Sequence, residues 1–389
     1  MTSDRLAAAV RAGGVLAPDH GGMCLDGVLP AAAEVLGLDP GPADLPGRGA
    51  AARFGLAGAT RVCVVLVDGM GLDLVADRKA HAPFLRARLA DARALTSSVP
   101  STTATSMGLL GTGRAAGRTG LAGYTVRNPE TGDLANLVSW DGATDPRRWQ
   151  REPSLLAGLA GRTEVTSVGP GKFAGSGLTS AALHGARYVA AESLDDRVDA
   201  TLRALRRPGL AHLYWGDVDK AGHQYGWRSP QWAEALAETD RGLGRLARSL
   251  PPDTLLLVTA DHGIVDIDRA HFVDVAHEPV LAAGVDLVAG EPRACHLYTD
   301  EPAEVAARWR DRLGDLALVV ERAEIEAAGW FGPVADHVRP VLGDVVVLAL
   351  GRAAIADSRT QTPHSLTLVG MHGSVTPGEM LVPLFVERT

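Results

Sequence analysis

Two stretches constrain this chain more than any others: RVCVVLVDG at 61–69 and TLLLVTADHG at 254–263. Each is a short apolar run that ends in acidic or imidazole side chains and then glycine. Runs of this kind suit strands of a parallel sheet, buried on both faces. Such a sheet needs helices to cover it, so the pattern predicts an α/β fold. It also predicts where the chemistry lies, because ligands of open α/β sheets bind beyond the carboxyl ends of the strands. Asp68 and the Asp261-His262 pair are delivered to that edge.

Composition sets outer bounds. The 389 residues suit one large α/β domain with an inserted lobe, and an apolar content of 46% is ample for a packed core. No apolar run nears the ~18 residues of a membrane span. The N-terminus carries Asp4 early and no apolar region before a cleavage site, so a cytoplasmic protein is expected. Cys24, Cys63 and Cys295 are scattered and odd in number, so neither a disulfide framework nor a thiolate metal site is expected. The net charge of −8 is spread without a basic block, which gives no support for a nucleic-acid surface.

Along the chain, helical patterns cover 4–12 and 28–36, within an Ala-, Gly- and Pro-rich segment to about residue 58 that reads as an N-terminal cap on the core. Strands are predicted at 61–67, 164–168, 186–191, 211–214, 254–259 and 380–386. Amphipathic helices are predicted at 84–90, 194–206 and 231–249. Between 287 and 365 the pattern changes: strands at 295–298, 316–320 and 345–350 and a helix at 302–312 suggest a small β-α-β lobe.

Three more segments join the strand ends. Asp219 and His223 are four apart, the spacing that puts two side chains on one helical face. His372-Gly373 arrives late in the chain. The segment Pro100-Ser101-Thr102-Thr103-Ala104-Thr105-Ser106 crowds hydroxyls onto a helix start, more than capping needs, and a helix start also attracts phosphate. Carboxylate and neutral imidazole suit zinc and similar first-row ions. Asp68, Asp219, His223, Asp261, His262 and His372 are too many for one tetrahedral ion and about right for two. Among the other histidines, His271 and His277, flanking Asp274, are the only further candidates; His20 and His212 lack a comparable context.

This order of motifs, Asp-Gly, Pro-x-x-Thr, Asp-x-x-x-His, Asp-His-Gly and a late His-Gly, resembles the alkaline phosphatase superfamily, closest to its nucleotide pyrophosphatase/phosphodiesterase branch. The resemblance runs from about residue 61 to 386. It implies a three-layer α/β/α sandwich with a mostly parallel sheet. It also implies a catalytic domain at 59–265 and 366–389, and a cap lobe inserted at 266–365. Carried over by motif, Asp219, His223 and His372 hold one Zn²⁺. Asp68, Asp261 and His262 hold the second, together with the hydroxyl of Thr103, the nucleophile; Mn²⁺ or another divalent ion is the alternative. Tyr124 and Ser106 stand where diesterases of the family carry asparagines, and both become substrate-contact candidates. Tyr214 stands five residues before Asp219, where relatives stack an aromatic on a nucleobase; ordinary packing is the competing reading. The expected activity is hydrolysis of a small-molecule phosphodiester or nucleotide pyrophosphate through a phosphothreonine. A phosphomonoesterase, phosphonate hydrolase or phosphomutase on the same site, and a non-catalytic metal-binding scaffold, remain open.

Overall fold

A computed structural model describes residues 4–389; residues 1–3 of the expected N-terminal cap lie outside the described residues. Its centre is a seven-stranded sheet in the order Arg93–Thr96, Leu381–Arg388, Thr254–Thr259, Arg61–Val67, Gly209–Trp215, Glu164–Gly169, Arg187–Ala190. Leu381–Arg388 runs antiparallel to both neighbours, and every other pairing in the sheet is parallel. The runs read as doubly covered are so: Thr254–Thr259 is buried throughout, and Arg61–Val67 is buried after its first residue.

Register sets the functional edge. Leu66 lies level with Thr259 on one side and with Tyr214 on the other. The chain segments that follow these strands therefore emerge side by side. The Asp68 N–H donates to Trp215 O at 2.8 Å, extending the parallel ladder by one residue.

Helices Leu194–Ala204 and Pro230–Ser249 fold close to their predicted bounds and pack on each other, Gly242 giving Leu194 room to approach. The pattern at 84–90 becomes two short pieces, helix Pro83–Arg86 and a 3-10 turn Leu89–Asp91, anchored where Asp240 accepts the N–H groups of Phe84 and Leu85. Helix Val28–Val35 buries nearly its whole surface against the core, as its apolar composition requires.

A second sheet has the order Leu287–Glu291, Ala294–Tyr298, Val345–Ala349, Ala317–Glu321, all antiparallel. Helix Pro302–Leu313 connects two of these strands and packs Trp309 into a separate core cluster with Val275, Leu281 and Val347. The expected β-α-β unit is thus split, because Val345–Ala349 pairs between its two strands. Among the described residues no helix is long and apolar enough to cross a membrane.

Candidate metal centre

Helix Thr103–Thr112 begins at the nucleophile candidate. Its N-cap is Thr102, in extended conformation and without a side-chain cap bond. Thr103 Oγ1 lies 3.2 Å from His262 Nε2. Ser106, one turn on, is fully buried; its hydroxyl meets Ser98 Oγ at 2.8 Å and donates to Asp261 O at 2.9 Å. Ser106 thus ties helix Thr103–Thr112 to the end of the Thr254–Thr259 strand, and its hydroxyl is buried behind the cavity instead of lining it.

Three carboxylates meet three imidazoles in front of this helix. Asp261 Oδ1 accepts the N–H groups of Gly69 and His262 at 3.1 and 3.0 Å, while its Oδ2 is buried without a partner. Asp68 Oδ2 accepts from the Tyr214 hydroxyl, and Asp68 Oδ1 is likewise buried and unpartnered. Asp219 leaves Oδ1 unpartnered, with Oδ2 3.4 Å from His223 Nε2. The histidines repeat one pattern. Nδ1 of His262 faces Gly263 O at 2.9 Å, Nδ1 of His223 faces Gly370 O at 2.8 Å, and Nδ1 of His372 faces Ser101 O at 3.0 Å. A carbonyl only accepts, so Nδ1 carries the proton in each ring and Nε2 presents a lone pair.

Lone pairs therefore face lone pairs. His262 Nε2 lies 3.4 Å from Asp68 Oδ1 and 3.4 Å from Asp261 Oδ2, the two unpartnered oxygens. His372 Nε2 lies 3.9 Å from Asp219 Oδ1, the third. Burying such atoms unpaired is costly, and a bound cation removes the cost. Two ligand groups result, Asp68-Asp261-His262 and Asp219-His262-His372. His262 borders both, stacked on His372 with ring centroids 3.6 Å apart, and His223 stands beside the second group. The donor set fits divalent ions.

The electrostatics agree. Burial, then the charges of Asp261 and Asp219, holds the Asp68 carboxyl well above the usual range. Burial raises Asp261 too, partly offset by His262. Burial, then His262 and His223, pushes His372 well below the ordinary imidazole value. Without positive charge the site is driven toward neutrality; a dication favours the ligating forms of all three.

A cavity of about 270 Å³ opens beside Thr103, walled by Tyr124, Phe173, Tyr188, Tyr214 and His372 among others. Tyr214 lines it with its ring, edge-on to Phe173 at 5.7 Å, while its hydroxyl is held by Asp68, a bond neither sequence reading of Tyr214 included. Tyr124 is 42% exposed at the rim, and its N–H donates to Glu291 Oε2 at 2.7 Å. Glu291 had no motif to mark it. His271 and His277 pair with Asp268 and Asp274 at the surface, outside both ligand groups. Among nearby basic residues, Arg114 binds Asp44, Arg118 binds Glu152, Lys172 sits over the Phe173 ring and Lys220 is exposed; none of the four lines the cavity.

Comparison with known proteins converges on one family. Residues 62–375 match the model of the type I phosphodiesterase/nucleotide pyrophosphatase family. Human ectonucleotide pyrophosphatase/phosphodiesterase family member 7 is 37% identical over 65 residues, 15% of this chain and 14% of that protein. Phosphopentomutase of Shewanella denitrificans is 30% identical over 148 residues, 37% of this chain and 35% of that protein. The chain thus matches well under two thirds of these relatives' lengths. Among solved structures, murine ectonucleotide pyrophosphatase/phosphodiesterase 5 superposes with a TM-score of 0.66 at 18% identity, covering 84% of this chain and 88% of that one. Phosphonoacetate hydrolase of Sinorhizobium meliloti 1021 gives 0.63 at 19%, covering 84% and 89%. The fold is that of the alkaline phosphatase superfamily, and the chain belongs to its type I phosphodiesterase/nucleotide pyrophosphatase family of hydrolases.

Proposed function

We propose that this protein hydrolyses phosphodiester or nucleotide pyrophosphate bonds of small molecules, with Thr103 as nucleophile and two divalent ions, zinc by ligand type, as cofactors. The observation that carries the diester reading is the cavity wall. Among the described residues lining it there is no lysine or arginine. A monoester dianion has one more negative charge than a diester, and no residue of the wall supplies a side-chain cation to meet it, Lys172 standing 5.1 Å from the Phe173 ring without itself lining the cavity. The aromatic faces of Phe173 and Tyr214 suit a planar substituent. A murine relative of the same fold is described as an inactive variant in complex with AMP, a nucleoside monophosphate of the kind that cleavage of a nucleotide pyrophosphate or diester releases.

Asp68, Asp261 and His262 would hold one ion, and Asp219, His223 and His372 the other. When bound, the ions supply positive charge for the entering and leaving oxygens of an in-line displacement. The chain's own groups do the rest. Thr103 Oγ1 bonds to phosphorus as the bond to the leaving oxygen breaks, and water then cleaves the P–Oγ1 bond, restoring the hydroxyl. The first N–H groups of helix Thr103–Thr112 have no partner within the helix and would donate to the equatorial oxygens as these gather charge. Tyr124 adds a phenol at the rim.

Matched aryl phosphodiesters and monoesters test the reading. The diester is expected to show kcat/KM higher by at least ~10-fold, or about 1.4 kcal/mol. A monoester preference overturns it in favour of a phosphomonoesterase.

A further inference from the structure

A second group of ligand-type side chains lies outside the Thr103 site. His20, Cys24 and Asp26 each bring one donor atom within 4.8 Å of the others. Neither His20 nor Cys24 stands in a strand-end motif, but the spacing His-x-x-x-Cys-x-Asp places them on one turn-rich segment. His20 Nδ1 stands 3.3 Å from Asp26 Oδ2 and 3.8 Å from Cys24 Sγ. With ordinary zinc bond lengths, a tetrahedral site has N–O and N–S edges of about 3.4 and 3.6 Å. The ring's other nitrogen, Nε2, lies 3.3 Å from Trp330 O. That carbonyl can only accept, so it favours the tautomer whose Nδ1 lone pair points at Asp26 and Cys24, the backing that metal-bound histidines usually have.

Two facts separate this group from an ordinary buried cluster. Asp26 is 1% exposed, yet its Oδ1 has no hydrogen-bond partner. Cys24 is fully buried, and its own strand-like contact is a bridge to Thr96 on the sheet's edge strand. Asp26 Oδ2 already accepts the Gly21 N–H at 3.0 Å, so a proton shared with His20 would go to the oxygen that has a partner and leave Oδ1 unpaired. One ion would use all three side chains.

We propose that His20, Cys24 and Asp26 form a further metal site, for a zinc-type ion, that fastens the N-terminal segment to the edge strand and to the backbone at Trp330. Its role is structural, because none of the three donors lines the Thr103 cavity.

Sulfur makes the test selective, since the ligand groups beside Thr103 contain no cysteine. The full-length chain is stripped with chelator and titrated with Co²⁺ alone. Wild type should develop a thiolate-to-cobalt charge-transfer band in the near ultraviolet. Cys24→Ala should lose it, and Cys63→Ala and Cys295→Ala should keep it. On reloading with Zn²⁺, elemental analysis should count one ion fewer per chain in Cys24→Ala and in His20→Ala than in wild type. Turnover of the folded variants should stay within about twofold of wild type, whatever substrate class the Thr103 site takes. Absence of the band in folded wild type overturns the proposal, as does an unchanged zinc count in Cys24→Ala. Should that variant not fold, the wild-type spectrum decides alone.

Discussion

The hydroxyl of Tyr214 donates to Oδ2 of Asp68, and so fixes which oxygen of that carboxylate is left facing His262. Burial, and then Asp68 itself, raises the Tyr214 phenol well above its ordinary value, which keeps it a donor across the accessible pH range. Tyr214→Phe leaves a buried carboxylate oxygen unpaired. It should weaken metal binding by roughly 10-fold, in line with outer-layer partners of metal ligands, while the ring keeps its place against Phe173. Competition with a chromophoric chelator measures this; unchanged affinity would separate Tyr214 from the metal centre.

Thr103→Ala should lower kcat by more than about 10³-fold, the loss typical of a missing nucleophile. Fold and most metal should survive, since the buried carboxylates and imidazoles remain. Thr105 is buried and Thr102 precedes the helix, so alanine at either should cost far less. If Thr102→Ala were the inactive variant instead, the nucleophile would be misassigned by one residue.

Gly69 has φ of +71°, and a Cβ there would come within 2.8 Å of the Asp219 backbone. Gly69→Ala combines left-handed strain of about 1–2 kcal/mol with displacement of a ligand. Circular dichroism melting should show the lower Tm, and activity should fall more than 10-fold even well below it. Full activity in a folded variant would contradict the close approach.

Removal of metal should abolish turnover and lower Tm. A ligand present at 100 times its Kd stabilises by about 2.7 kcal/mol per site, and here the three unpartnered carboxylate oxygens gain their counter-charge. Calorimetry with and without added Zn²⁺ checks both effects in one series. A melt indifferent to metal would leave those oxygens unexplained.

Glu291, a carboxyl outside the two ligand groups, supplies a pH test. Burial, followed by the nearby charge of Glu379 against the Tyr124 N–H bond, moves its carboxyl up to about 8. Between the unfolded value and 8 the folded chain holds a proton that the unfolded chain releases, so stability falls as pH rises through that window. From pH 5 to 8 the loss approaches about 4 kcal/mol. Glu291→Gln removes it, so the variant's Tm should gain on wild type as pH rises and match it near pH 5. Parallel Tm curves would show that Glu291 does not titrate there.

Much of this was legible from residue order. Period and composition marked the Thr254–Thr259 and Arg61–Val67 strands because a doubly buried strand has no polar face to disguise it. Asp68, Asp261, His262 and His372 were legible because carboxylate or imidazole running into glycine is rare by chance, and Asp219 and His223 because they lie four apart on one helix. What escaped depends on long-range pairing. The Tyr214–Asp68 and Tyr124–Glu291 bonds span 146 and 167 positions, and the partition of ligands around His262 joins segments from Asp68 to His372, so pattern within a window carries no sign of them. The insertion of Val345–Ala349 between two strands of the smaller sheet escaped for the same reason.

The hydroxyl cluster under the site has a last consequence. Ser97 and Ser106 both donate to the carbonyl of Asp261, and Ser98 bridges to Ser106. The start of the Thr103 helix and the backbone of the candidate ligand Asp261 are therefore one mechanical unit, locked from the buried side. Aim is decoupled from occupancy: exchanging one divalent ion for another of different radius should retune the rate without re-pointing Thr103.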